Sequence, residues 1–287
     1  MAKKRIIGKS LSLSLCLFLI ILSSSACEKK NVFSLTEMEW ILALINDNPN
    51  IFKDDLFDTQ PDSTSGNPDS PSFYRQITFR QLYQDSIIIS DTLVPDLLVA
   101  KIWETDSLAG VFHLYSNGIA YHQTSFTAKS KMRAYLEKWG GAGDAYNGWV
   151  IKGLSHVTIS SAIPFGPYFS LNVTSSGGGV NYSYVSTNDD MLDIDYFPLV
   201  FRAGDTAYLH LTSVDKTNYI HLYYYDGNTL VKDSFTDNGS SLDAQFVIGD
   251  VSKRYRHFFI DIVDKGSVGP PAGNYRAKTW GILYRIR

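Results

Sequence analysis

Residues 111–127 read VFHLYSNGIAYHQTSFT, two runs of alternating apolar and polar residues on either side of Asn117-Gly118. Asn-Gly suits the left-handed backbone of a two-residue turn, and between alternating runs it is the strongest local signal for a β-hairpin. With Asn117 and Gly118 as the turn, Ser116 faces Ile119 and, counting outward, His113 faces His122. Phe112, Leu114, Ile119 and Tyr121 then share a core face, while His113, Tyr115 and His122 share the other. A long antiparallel meander is therefore the expected centre of the first half of the chain.

Upstream, Ser34 and Glu37 have the spacing of a capping box, and Phe33 with Met38 that of a hydrophobic staple. Met38, Ile41, Leu42 and Ile45 follow at helical spacing until Asn48-Pro49-Asn50 stops the pattern, so a helix with one buried face is expected. Residues 58–72, DTQPDSTSGNPDSPS, read as a loop whose aspartates lack the closing glutamate of a calcium loop. Residues 131–139, KMRAYLEKW, fit a helix through Met132, Tyr135, Leu136 and Trp139, or a strand through Met132, Ala134 and Leu136. The glycine-rich turn at Gly140, Gly141 and Gly143 favours a hairpin. A leading helix followed by a meander of long strands resembles the curved cone of nuclear-transport-factor-like domains, over about residues 34–160.

Pro164-Phe165-Gly166-Pro167 suits an extended connector and marks the expected domain boundary, with a second domain at 161–287. In it Ala207, Leu209 and Leu211 alternate with Tyr208, His210 and Thr212, and Ile220, Leu222 and Tyr224 with Tyr219, His221, Tyr223 and Tyr225. Phe258, Ile260 and Ile262 follow, and Trp280, Ile282, Tyr284 and Ile286 close the chain. Short strands at this density resemble an immunoglobulin-like sandwich, although the Cys and Trp hallmarks of true immunoglobulin domains are missing. The expected fold is thus two domains: an α+β unit built from an N-terminal helix plus an antiparallel meander, then an all-β immunoglobulin-like sandwich.

The start of the chain carries an address. Lys3, Lys4, Arg5 and Lys9 precede an apolar run, LSLSLCLFLIIL over 11–22, and small residues over 23–26, the three-part layout of a secretory signal. Ser24-Ser25-Ala26-Cys27 resembles the lipobox of bacterial lipoproteins, with Ser24 where leucine is commonest. The resemblance implies cleavage before Cys27, acylation of that residue, and a lipidated tether over 27–33. An ordinary signal cut near Ala26 is the alternative. Glu28 after the cysteine favours the outer membrane, facing the periplasm or the surface. Two or three acyl chains give essentially permanent attachment, since each buried methylene contributes about 0.8 kcal/mol. The only other cysteine, Cys16, lies in the segment to be removed, so no disulfide is expected. Losing Lys3, Lys4, Arg5 and Lys9 from 26 basic and 29 acidic residues leaves 22 against 29, a net charge of −7. That balance argues against nucleic acid as a partner.

Catalytic and cofactor signatures fail on inspection, so no catalytic residue, cofactor or metal is assigned. Gly8-Lys9-Ser10 lacks the upstream glycine of a phosphate loop, and Gly153-Leu154-Ser155-His156 lacks the closing glycine of a nucleophile elbow. The facing pair His113 and His122 would make an incomplete zinc site, or simply two polar residues on a solvated face. The row Tyr208, His210, Tyr219, His221, Tyr223 and Tyr225 offers aromatic bodies with polar tips, suited to a glycan or to an envelope protein. Asp189, Asp190, Asp193 and Asp195 read as a charged loop, with calcium as the alternative. The expectation is a binding or structural module of the cell envelope. A hydrolase working from a concave face around His113, Tyr115 and His122 is the competing class.

Overall fold

In the computed structural model, residues 35–52, 72–91, 97–116, 119–188, 190–249, 255–268 and 274–287 are described. Cys27 and its lipobox, the expected 58–72 loop except for Ser72, which begins the first strand, the Asn117-Gly118 turn and Asp189 lie outside them. Glu39–Arg287 forms one compact unit. A helix over Leu35–Asp47 is followed by a short helical turn, Pro49–Phe52, and the buried side chains of this region are Ile41, Leu44, Ile45, Ile51 and Phe52. The strands are β1 (Ser72–Asp91), β2 (Leu98–Ser116), β3 (Ile119–Lys138), β4 (Trp149–Ser155), β5 (Val157–Ser161), β6 (Ser170–Ser175), β7 (Asn181–Val185) and β8 (Met191–Asp193). They continue as β9 (Val200–Phe201), β10 (Thr206–Thr212), β11 (Tyr219–Asp226), β12 (Thr229–Ser234), β13 (Thr236–Asp237), β14 (Leu242–Val247), β15 (Tyr255–Val263) and β16 (Ala277–Ile286).

Among the described residues these strands form two sheets. The larger has the order β1-β2-β3-β5-β16-β15-β11-β12, with β4, β8 and β9 off that path; the smaller has the order β13-β14-β10-β6-β7. Strand pairing runs straight through the boundary expected at 160/161. β5 pairs with β3 on one side and with β16 on the other, so the two halves of the chain share one sheet. The ambiguous segment 131–139 is strand: β3 runs to Lys138 and folds back on β4 with Lys138 opposite Trp149.

β1, β2 and β3 are long enough that they must bend to keep one face covered. β1 is bulged between Ile77 and Phe79 and again between Gln84 and Ser86, and a bulge bends its strand. Gly110 of β2 sits at the first of these bends. A Cβ there would lie 2.2 Å from the Gln76 carbonyl oxygen, so only glycine lets the two backbones approach.

The curl carries β1 around to the far end of its own sheet. Phe73 stacks edge-on against His221 of β11, ring centroids 5.1 Å apart, and the Lys232 ammonium of β12 lies 3.9 Å from the Phe73 ring. Beside them Arg75 and Asp261, 1% and 0% exposed, form a two-pronged ion pair at 2.9 and 3.0 Å. Arg75 Nε donates to the Tyr275 hydroxyl at 2.6 Å, and the Thr279 hydroxyl donates to Asp261 at 2.7 Å. The Tyr275 ring packs on Phe112 and Phe126 at 4.9 and 4.8 Å.

The opposite face of β11, β15 and β16 is apolar too, and the smaller sheet covers it. Trp280 meets Phe169 edge-on at 4.8 Å and donates its indole N–H to the Ser186 carbonyl at 3.1 Å. Tyr224 stacks on Phe246 at 4.9 Å, and Phe246 touches Phe258 at 5.6 Å. This explains the continuous burial of β15 from Arg256 to Val263. A strand covered on both faces keeps no polar side.

Removing one partner of the buried ion pair leaves an uncompensated charge. Asp261→Ala is expected to lower unfolding stability by about 3–5 kcal/mol in urea titration, while Arg75→Met/Asp261→Leu recovers part of that loss. A single variant milder than the double would remove the pair from its role in closing the sheet.

Candidate functional site

The sequence-derived candidates are dispersed. His113 and His122 do not face each other: β2 and β3 carry a bulge between Leu114 and Tyr115, so His122 is opposite Leu114 and His113 opposite Gln123. One extra residue in a ladder moves every later side chain to the other face, which places the two rings on opposite sides of the sheet. His113 is buried, stacked on Tyr74 at 4.4 Å, and burial lowers its pKa. Tyr115 lies beside Tyr74, its ring 5.3 Å away.

The tyrosine and histidine row also divides. β10 and β11 belong to different sheets. Tyr208 is 42% exposed, and His210 is exposed, with Nδ1 2.6 Å from Asp243 on β14. His221 and Tyr223 are buried where β1 folds over β11. Alternation groups the residues of each strand on one side, but nothing local tells which strands share a sheet or which face that sheet encloses. Of the acidic cluster, Asp195 is paired with Lys152 at 2.6 Å, and Asp193 accepts the Asp195 amide at 2.8 Å. Among the described residues no three His, Cys, Asp or Glu side chains are grouped to hold a metal ion.

What the fold does build is a groove along the outer face of β2 and β3, beyond the edge of the smaller sheet. Three cavities run into one another. The first, about 570 Å³, is lined by Trp103, Tyr135, Glu137, Lys152, Met191 and Asp195 among others. The second, about 790 Å³, shares Trp103 and Arg133 with it and adds Lys129, Lys131, Thr158 and the turn after β7 at Ser186, Thr187 and Asn188. The third, about 690 Å³, shares Lys129, Lys131, Thr158 and Lys278 and reaches Phe79. Trp139, 67% exposed, stands near the first cavity's end, its ring 5.2 Å from the Lys152 ammonium and its indole N–H bonded to Glu137 at 2.7 Å.

The local cause is strand alternation. Ala128, Ser130, Met132, Ala134 and Leu136 of β3 are buried, which turns Lys129, Lys131, Arg133, Tyr135 and Glu137 to the groove. Sequence reasoning missed this because 131–139 was open between helix and strand. The signal was present as Lys129, Lys131 and Arg133 at intervals of two.

Two carboxyls of β2 lie on the core side of the sheet behind the groove, Glu104 opposite Met132 and Asp106 opposite Ser130. Glu104 is 7% exposed and contributes to the second cavity, and Asp106 is 4% exposed. Burial, then the charge of Asp106, pushes Glu104 up to about 7, with Arg80 opposing. Burial also raises Asp106, against the pull of Arg80, whose Nε is 3.9 Å away. A carboxyl so raised costs stability as pH climbs through its folded value, because the unfolded chain ionises freely from 4.5 upward. Comparison with known protein families, with curated proteins and with solved structures finds no match to this chain.

Glu104→Gln is expected to raise the melting temperature at pH 8 and to leave it nearly unchanged at pH 4.5, read by scanning calorimetry at both. Buried histidines act with the opposite sign. His257 and His156 are held by burial at about 4 and about 3. Their contribution is complete above 6.5 and is lost as pH falls toward the folded values, about 3 kcal/mol for a shift of the size seen at His257. A melting temperature that stays flat between pH 6.5 and 4 in Glu104→Gln protein would contradict this.

Proposed function

We propose that the chain is a cell-envelope lipoprotein, anchored through Cys27 in the outer membrane, that holds a ligand in the groove on its long curled sheet. The observation that carries the reading is the continuity of the three cavities, an open channel rather than a closed pocket, walled by aromatic, hydroxyl and charged side chains. An envelope glycan or envelope protein suits such a surface.

The fold reading that accompanies this is finer than the two-sheet description. The long β1, β2 and β3 with a helix before them support the cone-like first module over 34–160. For 161–287, the strand connectivity supports an immunoglobulin-like sandwich. On this reading β6, β10, β14 and β13 would correspond to the A, B, E and D strands, and β11, β15 and β16 to C, F and G, with β12 beside C. The interruption by β7, β8 and β9 departs from that plan. In this arrangement the two modules are fused through the β5–β16 pairing.

Hydrolysis is the second reading: it would need Glu104, which burial pushes up to about 7, to reach a substrate from the core side of β2 and serve as general acid or base. On that reading the histidines of the hairpin are replaced by Glu104 as the group of interest.

The anchor is tested by metabolic labelling with tritiated palmitate in a bacterial host. The wild-type chain is expected to take up label and sediment with membranes, and Cys27→Ser to be unlabelled and soluble. Label retained by Cys27→Ser would end the lipoprotein reading.

A further inference from the structure

The groove is electrically uneven on a chain whose overall balance is acidic. Its middle and far cavities carry Lys129, Lys131, Arg133 and Lys278. Among the described residues lining them the one acidic residue is Glu104, and register puts its carboxyl on the core side of β2, opposite Met132. The near cavity is different: Glu137, Asp193 and Asp195 balance Lys101, Arg133 and Lys152 there, beside Trp103 and Tyr135.

Register fixes how the cations are arranged. Lys129 is opposite Ser160 on β5, and Ser160 is opposite Lys278 on β16. Lys131 is opposite Thr158. Lys129 and Lys278 are thus separated by one intervening strand, about 9.6 Å at the backbone, with the hydroxyls of Ser160 and Thr158 between them. Ammonium groups on flexible four-carbon stems can both reach an anion lying over those hydroxyls. Lys278 is half-buried, its ammonium 4.9 Å from the Trp280 ring. Desolvation, then the charge of Lys131, lowers its pKa. Crowding like charges costs free energy in the empty groove, and a bound anion would relieve that cost.

We infer that the groove binds an acidic oligosaccharide, its carboxylate or phosphate groups seated between Lys129, Lys131 and Lys278 over Thr158 and Ser160, and its uncharged rings on Trp103 and Tyr135. Carboxylates at the near end accept sugar hydroxyls and repel a second run of anionic groups. This is why a uniformly charged single-stranded nucleic acid fits less well, although it too would exploit cations and aromatic rings. The inference rests on the reading of the chain as a binding module and adds the chemical class of its ligand.

The test uses the purified protein in detergent, titrated by calorimetry with a hyaluronan tetrasaccharide, whose charged and uncharged rings alternate, with neutral maltotetraose, and with an oligothymidylate of matching charge. The hyaluronan tetrasaccharide is expected to bind saturably, more tightly than either comparison ligand and more weakly as salt rises. Lys131→Gln/Lys278→Gln should weaken it at least tenfold with an unchanged melting temperature, and Lys131→Arg should retain it. Absent binding, or equal affinity in the glutamine variant, overturns the inference. Tighter binding of oligothymidylate overturns it in favour of nucleic acid. Equal binding of maltotetraose overturns the anionic requirement while leaving the binding module standing, and none of these outcomes bears on the anchor, which palmitate labelling tests separately.

Discussion

The ion pair between Arg75 and Asp261 joins the first strand of the larger sheet to the sixth in spatial order, and the rest of the structure is arranged around that closure. Neither side chain touches solvent, so both have given up hydration that only near-ideal partners can replace. The partners are supplied by two further elements: the Tyr275 hydroxyl ahead of β16 and the Thr279 hydroxyl within it. Four groups from β1, β15, β16 and the segment before β16 therefore have to arrive together. A slip of one residue in any of these strands would send its polar group to the opposite face and leave the others buried without a partner. The pair is a weak source of net stability but a strong statement of register.

Once the sheet is closed this way, its strands serve two interiors. The inner face of the curl takes Arg75, Phe73, Phe112, His221 and Tyr223 from strands far apart in sequence. The outer face of β11, β15 and β16 takes the smaller sheet through Trp280, Tyr224 and Phe258. Neither layer contains a cysteine among its described residues, so packing and hydrogen bonding hold the two together. The arrangement also buries ionisable groups of both signs of pH response, histidines whose pKa burial lowers and Glu104 whose pKa it raises. Their opposing slopes place the greatest stability between the acid and alkaline arms.

Much of the strand content was legible in the sequence. The helix from Leu35, the hairpin around Asn117-Gly118 and the alternation of β10, β11 and β16 all follow from period and turn chemistry. What could not be read was long-range. The Leu114–Tyr115 bulge has no compositional mark, and by shifting the register it dissolved the His113–His122 pair. The placement of β10 and β11 in separate sheets separated Tyr208 and His210 from His221 and Tyr223, since alternation tells which residues share a face and not what lies against it. Arg75 and Asp261 are 186 positions apart, beyond any local pattern. The groove was hidden by a single ambiguity: read as a helix, Lys129, Lys131 and Arg133 scatter around its circumference, whereas read as a strand they align.

That alignment separates what folds the protein from what its surface can do. Lys129 and Lys131 point away from the residues of β3 that fill the core, and no apolar contact of the curl depends on them. Their alternates, Ala128, Ser130 and Met132, are buried, so the strand would pair equally well with uncharged polar residues at the outer positions. Folding alone does not ask for cations there, and an acidic chain with carboxylates to spare could have neutralised them locally, as Asp195 does for Lys152. In the middle and far cavities the acidic residue among the described lining, Glu104, instead has its carboxyl on the core side of β2, opposite Met132. The combination leaves positive charge concentrated over the hydroxyls of β5, in the stretch of the sheet's outer face that the smaller sheet leaves open. A surface of that kind gains by meeting an anion, and the geometry that exposes it is set by the same closure at Arg75 and Asp261 that fixes the core.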